Sequence, residues 1–513
     1  MANPLLFRSL LRDAPLANAS NQQGAAAFAF IPRHKLAQMV MTGCMNETFY
    51  TSGQAQLNDV LATAKDLDDL FLAQLAIYGR ERGMMKDMPA LLTAILAARG
   101  SALLPIVFTR VINNGRMLRN FVQILRSGVT GRRSLGTRPK KLVQRWLQNA
   151  SEERLLQASV GNAPSLADIV KMVHPRPQAA WQEAFFAWLI GKPCDKTQLP
   201  EKTRALLAFR EGDMGAALPD VPFLLLTNAP LSREQWAQLA QRMSWQTLRM
   251  NLNTLARHDV FENATLAASV AQRLADRAQV RQSWVYPYQL LSAWSNLQSS
   301  VPQVIREALA QALENIPPFR GNVVVCPDVS GSMKSSITGY RKGATSKIRC
   351  VDVAGLIAAA VLRNHPQARV LPFECDVVDV RLDARQSVMH NAQKLAAVGG
   401  GGTNCSAPLR RLLNERARVD LVIMVSDNES WVDKSCHGST ATMECWIELK
   451  KRNPQARLVC IDLLPYGTTQ AAERSDILNV GGFSDEVFTV IDNFVNGRYG
   501  SAHWLEEIEA VTL

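Results

Sequence analysis

Val323 to Met333 reads VVVCPDVSGSM, and this stretch decides the fold. Val323, Val324 and Val325 form the apolar run expected of a strand buried on both faces, and Asp328, Ser330 and Ser332 follow at alternate positions in the loop beyond it. One carboxylate and two hydroxyls make a hard, all-oxygen donor set suited to Mg²⁺ or Mn²⁺, yet incomplete for a cation that takes roughly six oxygens. Two later stretches can supply the rest. The glycine loop Gly399–Asn404 (GGGGTN) carries Thr403, and the apolar run Leu421–Val425 (LVIMV) ends in Ser426, Asp427 and Asn428. In an open parallel sheet, ligands gather at the carboxyl ends of strands, which is where all three stretches lead.

The set Asp328, Ser330, Ser332, Thr403 and Asp427 resembles the metal-ion-dependent adhesion site of a von Willebrand factor A domain. That resemblance implies a divalent cation, Mg²⁺ or Mn²⁺, held by those five residues. The flanking pattern agrees. Strands are expected at Val323–Cys326, Arg369–Phe373, Leu421–Val425, Leu458–Asp462 and Val487–Ile491, with helices near Val353–Arg363, Ser387–Ala397, Pro408–Arg416, Cys445–Arg452 and Ala502–Val511. Such alternation predicts an α/β, doubly wound parallel sheet.

The remaining chain reads differently. At 513 residues it exceeds one core, and Pro317 and Pro318 mark a boundary, giving residues 1–27 as a loosely ordered segment, 28–318 as a helical domain and 319–513 as the A-type domain. Between Phe28 and Asn322, apolar residues recur at three- and four-residue spacing in Leu57–Arg80, Pro89–Ala98, Leu118–Leu125, Lys141–Leu147, Leu166–Val173, Trp181–Leu189 and Trp236–Leu255, with no alternating strand. Ser232 with Gln235 and Ser165 with Asp168 have capping-box spacing, and Gly100, Gly128 and Gly215 fall where helices can stop. A dozen or so helices joined by short loops predict an all-α solenoid of stacked helix pairs.

Charge divides along the same line. Residues 321–513 carry 21 Lys+Arg against 22 Asp+Glu, whereas residues 1–320 carry 36 against 23. No acidic residue stands between Asp87 and Glu152, while Arg99, Arg110, Arg116, Arg119, Arg126, Arg132, Arg133, Arg138, Lys140, Lys141 and Arg145 accumulate there. A one-sign run costs self-repulsion unless a polyanion relieves it, and arginine suits bidentate contact with phosphate. The capped segment Pro164–Pro177 (PSLADIVKMVHPRP) adds Lys171, His174 and Arg176 at a helix end, where cations also favour the helix dipole. Phe108, Phe121 and Trp146 lie within the basic run at core spacing and are read as core before base-stacking platforms. Nine cysteines, an odd number scattered over a long chain, fit reduced thiols. No apolar run reaches the ~20 residues of a membrane span, and no signal segment opens the chain, so a cytoplasmic monomer is expected.

In sequence order, MTGCMNETFY (Met41–Tyr50), LAIYGRERGMMKDMPALLTAIL (Leu75–Leu96), PSLADIVKMVHPRP, and CPDVSGSM with GGTN and SDNE resemble the Ro autoantigen, or TROVE-domain, family of ribonucleoproteins. The resemblance implies a ring of HEAT-like helical repeats joined to the A domain. It further implies binding of small noncoding Y-type RNA on a basic surface and of single-stranded 3′ ends of misfolded RNA, with polynucleotide phosphorylase as a partner exonuclease. His174 stands where the family has an RNA-contacting histidine ahead of a proline; Gln157 and Gly161 stand where it has paired basic residues, with Arg154 nearby.

Two other readings compete. An A-domain adaptor or chaperone cofactor would leave the helices passive, which the run from Asp87 to Glu152 opposes. A metal-dependent hydrolase would need several carboxylates around paired cations about 4 Å apart. Here the motif loops offer two carboxylates and no histidine or lysine base, and Gly399–Gly402 lack the following Lys-Ser/Thr of a phosphate-cradling loop, so no enzyme is expected. Cys436, His437 and Cys445 lack the pair spacing of a zinc site. The basic insertion Lys334–Arg349, with Arg341, Lys342 and Lys347, lies beside the metal motif.

Overall fold

The computed structural model describes residues 14–43, 45–212, 218–227, 229–283, 287–311, 319–340, 348–431, 438–484, 486–498 and 504–513. The chain divides into two compact units, one of Met1–Leu67, Val285–Asn296 and Leu309–Ala510, the other of Asp68–Trp284, Leu297–Ala308 and Val511–Leu513. This division differs from a single cut at 318/319. Cys44, Gly215, Trp284, Tyr286, Pro317, Pro318, Arg341, Lys342, Lys347, Cys436, His437 and Ala502, singled out in the sequence, lie outside the described residues.

The first unit opens with β1 (Ala19–Ser20), β2 (Ala26–Ala29), α1 (Pro32–Thr42) and α2 (Gly53–Lys65), then carries β3 (Val323–Pro327), β4 (Arg369–Val370), β5 (Leu421–Ser426), β6 (Arg457–Asp462), β7 (Thr468–Thr469) and β8 (Ile477–Gly481). Five strands form a parallel sheet in the order β4-β3-β5-β6-β8, with Val324 opposite Val422 and Val422 opposite Leu458. The chain runs from β3 through the helix Cys350–Asn364 to β4, then passes back over β3 through Val388–Ala396 and Ala407–Asn414 to β5. Winding therefore reverses between β3 and β5. Their residues are buried throughout, because helices cover both faces of a parallel sheet. Under one face lie Phe373, Leu409, Met424 and Trp446.

The expectation of a loosely ordered segment 1–27, with helix from Phe28, fails for its described part. β1 pairs with β2 and β2 with β7, placing Phe28 opposite Thr469 and in the sheet core. The turn between β1 and β2 is held by the Asn21 side chain, whose Oδ1 accepts from the backbone N–H of Gln23 (3.0 Å) and Ala25 (2.9 Å). Alanine- and asparagine-rich strands of two and four residues leave no readable alternation. α1 packs on β8, close enough that a Cβ at Gly481 would stand 1.9 Å from Gln38 Oε1 and displace that side chain.

Two further expectations change places. Val487–Ile491 lies in the helix Glu486–Val495, whose buried residues Val487, Phe488, Val490, Ile491 and Phe494 keep three- and four-residue spacing. The missed strand is β8, ILNVG, masked by Asn479 at its centre. That amide is fully satisfied, its Nδ2 donating to the Ala471 carbonyl (3.0 Å) and its Oδ1 accepting from Thr469 Oγ1 (3.0 Å).

The second unit is helical: α3 (Asp69–Glu81), α4 (Asp87–Arg99), α5 (Leu104–Val111), α6 (Gly115–Ser127), α7 (Thr137–Gln148), α8 (Glu152–Ser159), α9 (Leu166–Val173) and further helices from Ala180 to Gln282. α3 packs on α4 and α5, α4 on α6, and α6 on α8 and α9, so each helix meets those close to it in sequence, as in a solenoid. The run expected as Leu57–Arg80 splits at Asp68, whose carboxylate accepts from Phe71 N (2.8 Å) and starts α3. Both capping boxes form, at Ser165 and Ser232, and Gly100 and Gly128 end α4 and α6 in the left-handed region.

Phe28→Ala is expected to cost about 3–4 kcal/mol, read as an earlier first transition in urea unfolding of the full chain. An unchanged midpoint would remove β2 from the core.

Candidate metal centre and nucleic-acid interface

The reversal between β3 and β5 opens a crevice at their carboxyl ends, and the five candidate donors meet there. Asp328 follows β3, Asp427 follows β5, and Asp328 N donates to Val425 O (2.9 Å) across the pair. Gly331 N donates to Gly401 O (2.8 Å), which draws the glycine loop and Thr403 against the Asp328 loop. Gly399 is required for this approach: φ is +75°, and a Cβ would lie 2.4 Å from the Val329 carbonyl oxygen. Asn404 closes the loop by accepting from Ser406 N (3.1 Å) and Oγ (2.7 Å) at the start of Ala407–Asn414.

Asp328 is fully buried; its Oδ1 accepts from Ser330 N (2.8 Å) and its Oδ2 from Ser426 Oγ (2.6 Å). The Ser330 and Ser332 hydroxyls stand 3.3 Å apart. Asp427 is 1% exposed, with Oδ1 accepting from Glu429 N (3.3 Å) and Oδ2 unpartnered. Ser426, named in the sequence at the end of LVIMV, also belongs to this cluster, as do Glu429 and Asp462, which the five-residue motif does not include. Glu429 is buried with Oε1 unpartnered, and Asp462, at the end of β6, accepts from Asn428 Nδ2. Burial pushes the ionisation of all four carboxyls up, aided by repulsion from Asp427 at Asp328, Glu429 and Asp462, and Glu429 reaches about 8. Among the described residues, no Lys, Arg or His ion pair offsets them.

A buried, uncompensated carboxylate pair costs several kcal/mol, and a divalent cation is the natural relief. The five donors fit one by their chemistry: two carboxylates, three hydroxyls and an orphaned Asp427 oxygen. Among the described residues, no group of three or more His, Cys, Asp or Glu is placed to hold a metal, so a cation here would depend on the hydroxyls of Ser330, Ser332 and Thr403.

The basic run of the second unit separates into two classes. Several arginines are committed to the protein itself. Arg110 forms a two-point ion pair with Glu81 (2.8 and 2.6 Å). Arg119 donates to Ala158 O (2.7 Å), Arg132 to Ala97 O (3.0 Å), and Arg138 to Gly100 O (3.1 Å), capping carbonyls where neighbouring helices end. By contrast, Arg116, Arg126, Arg133, Lys141, Arg145, Lys171, His174 and Arg176 are exposed, with Lys140 half-buried, and among the described residues none makes a close ion pair, although Lys171 stands in the field of Asp168.

The segment 171–176 joins this second class through α7. Gln144 Nε2 donates to Val173 O (2.7 Å) and His174 O (3.3 Å), and Gln148 Nε2 to Arg176 O (2.8 Å). Lys140, Lys141 and Arg145 of α7 are thereby brought beside Lys171, His174 and Arg176 at the end of α9. His174 ends α9 at φ +51°, in the left-handed region, with its ring exposed. Phe108, Phe121 and Trp146 are core: the two phenylalanines meet edge to face at 5.2 Å, and Trp146 Nε1 donates to Ile112 O (2.9 Å). Arg154 stacks 4.5 Å over Trp146, and Arg119 fills the space beside Gly161, where a Cβ would lie 2.7 Å from its Nη2.

The Ro60 vWA domain family matches residues 322–495, and the TROVE domain family matches residues 224–361. The RNA-binding protein RO60 of Deinococcus radiodurans is 23% identical over 521 residues, covering 93% of this chain and 95% of that protein. Its namesake in Caenorhabditis elegans is 22% identical over 248 residues, covering 45% of this chain and 37% of that protein. The crystal structure of the Deinococcus radiodurans RO (RSR) protein superposes with a TM-score of 0.60 at 21% identity, over 91% of this chain and all of that one, a likeness of fold. With a helical unit and a parallel-sheet domain on the page, the chain carries a TROVE-domain match and a Ro60 vWA-domain match, and it is similar over nearly its whole length to an RNA-binding protein of the Ro type.

Proposed function

We propose that this protein is a noncatalytic RNA-binding scaffold. It holds small noncoding Y-type RNA and the single-stranded 3′ ends of structured or misfolded RNA, and it works as a cytoplasmic monomer beside an exonuclease such as polynucleotide phosphorylase. The observation that carries the reading is the convergence of Lys140, Lys141 and Arg145 with Lys171, His174 and Arg176 through the Gln144 and Gln148 hydrogen bonds. Two cationic stretches about 30 residues apart share one exposed surface on which Asp168, already engaged by Ser165, is the acidic neighbour of Lys171, an arrangement suited to phosphates. The names of the relatives point the same way.

Discrimination would rest on RNA shape and strandedness rather than base stacking, since Phe108, Phe121 and Trp146 are buried. Arg116, Arg126 and Arg133 extend the cationic surface, whereas Arg110, Arg119, Arg132 and Arg138 contribute mainly through the fold.

Asp328, Ser330, Ser332, Thr403 and Asp427 would hold Mg²⁺ or Mn²⁺, which supplies the positive charge the four buried carboxylates lack. The five donors are no more than 5% exposed.

Reversing Lys141, Arg145, Lys171 and Arg176 to Glu together should weaken binding of a Y-type RNA roughly 100-fold at low salt. The same change should reduce the slope of log affinity against log salt by about 3, at ~0.7 per single-strand phosphate contact. Equal affinity and slope in a titration would exclude the α7–α9 surface. A structured RNA with a 3′ tail should bind more tightly than its blunt counterpart and than duplex DNA; equal weak binding of all three would leave only a basic surface.

Saturating Mg²⁺ should raise the thermal midpoint of the wild-type chain by about 5 °C. Asp328→Asn, which keeps the shape and removes a buried charge, should lose that rise while RNA affinity stays within about twofold. A Mg²⁺ response that survives in Asp328→Asn would move the cation elsewhere.

A further inference from the structure

The stretch Met41–Tyr50 plays no part in the cationic surface, yet it ends at the metal centre. Tyr50 stands beside the Ser332 hydroxyl and faces Asp427 and Glu429; burial, then the Asp427 charge, pushes its phenol ionisation up. The side chain is held from several sides. Gln23 Nε2 donates to its hydroxyl (2.5 Å), and its ring lies edge-on to Phe49 (4.7 Å) and Tyr466 (5.6 Å).

Gln23 belongs to the turn that follows β1, and this turn is tied to the loop after β5. Asn21 Nδ2 donates to Ser430 O (2.5 Å), and Gln22 N donates to Glu429 Oε2 (2.7 Å). The same turn thus holds both Tyr50 and the loop that carries Asp427. Tyr50 also lines a cavity of about 340 Å³ with Gln22, Gln56, Asp59 and Tyr466. Tyr50 therefore borders that cavity and, through Ser332, also touches the cluster of five donors, which are 0–5% exposed.

We propose that Tyr50 gates the metal centre: its hydroxyl, beside Ser332, would be an intrachain oxygen in reach of a bound cation, and an external oxygen ligand, water or carboxylate, would enter from the cavity only when Tyr50 moves aside. The proposal rests on the metal reading above. It assigns the β1–β2 turn a task beyond folding, because Gln23 sets the position of the phenol. Chemically the gate suits a hard cation: a neutral phenol oxygen is a weak ligand, so a carboxylate from outside displaces it once the ring has moved.

The test uses the full chain with Mn²⁺ as the probe, reading water-proton relaxation enhancement with and without acetate, alongside Mn²⁺ affinity by calorimetry. Wild type should show low enhancement that acetate leaves unchanged. Tyr50→Phe, which keeps the ring packing, should raise the enhancement by about one exchangeable water. Tyr50→Ala should raise it further, at least twofold over wild type, and acetate should then lower it. Mn²⁺ binding with the same enhancement in all three proteins overturns the gate and leaves the metal site standing. Failure of all three to bind Mn²⁺ overturns the metal reading, and the gate with it.

Discussion

Uncompensated negative charge at the carboxyl ends of β3, β5 and β6 is the constraint around which the first unit is built. Asp328, Asp427 and Asp462 are placed there by strand register, and Glu429 joins them from the loop after β5. Four carboxyls buried without a cationic side chain among the described residues repel one another, and backbone and hydroxyl donors answer only part of that charge. Ser330 N and Ser426 Oγ turn toward Asp328, and Glu429 N toward Asp427, while one oxygen each of Asp427 and Glu429 is left without a donor. Removal of the charge, or a cation, completes the balance. The loop geometry follows from this need: Gly399 allows the chain to pass against Val329, and Gly402 leaves room for the Trp431 indole, so Thr403 can approach.

The turn after β1 is tied to this cluster. Gln22 N is one of the donors available to Glu429, and Asn21 holds the neighbouring Ser430 carbonyl. None of this is visible in the sequence around residues 19–29, where small and amide residues give no period. What was legible was the chemistry at the strand ends: D-x-S-x-S, the glycine loop with Thr403, and Asp427 after LVIMV. Those positions were readable because donors must follow strands at fixed offsets. The roles of Glu429 and Tyr50 were not, since they depend on a turn some 400 residues away in sequence from Glu429.

In the helical unit, periodicity located helices well and broke down where polar and apolar runs mixed. Leu166–Val173 matches its expected bounds because a capping box and a left-handed end punctuate it. Val487–Ile491 shows the opposite failure: five residues rich in Val, Phe and Ile suit either a strand or a buried helix face, and only Phe494 one turn further on decides for the helix.

The long run of positive charge needs two explanations rather than one. A stack of short helices ends repeatedly, and each end leaves carbonyls without partners. Arg119, Arg132 and Arg138 satisfy such carbonyls across helix boundaries, and Arg273 does the same for Ala240 and Gln241 further along. Arginine is suited to this because its forked donors reach several oxygens while its charge favours helix C-termini. That need accounts for many arginines, but it does not account for missing acids, because a carboxylate nearby would not disturb a carbonyl cap. The absence of Asp and Glu from 88 to 151 therefore bears on the exposed residues alone. There, a single interspersed glutamate would pair with Arg145 or Lys141 at little cost, and its omission leaves the α7–α9 surface with charge for a polyanion to neutralise.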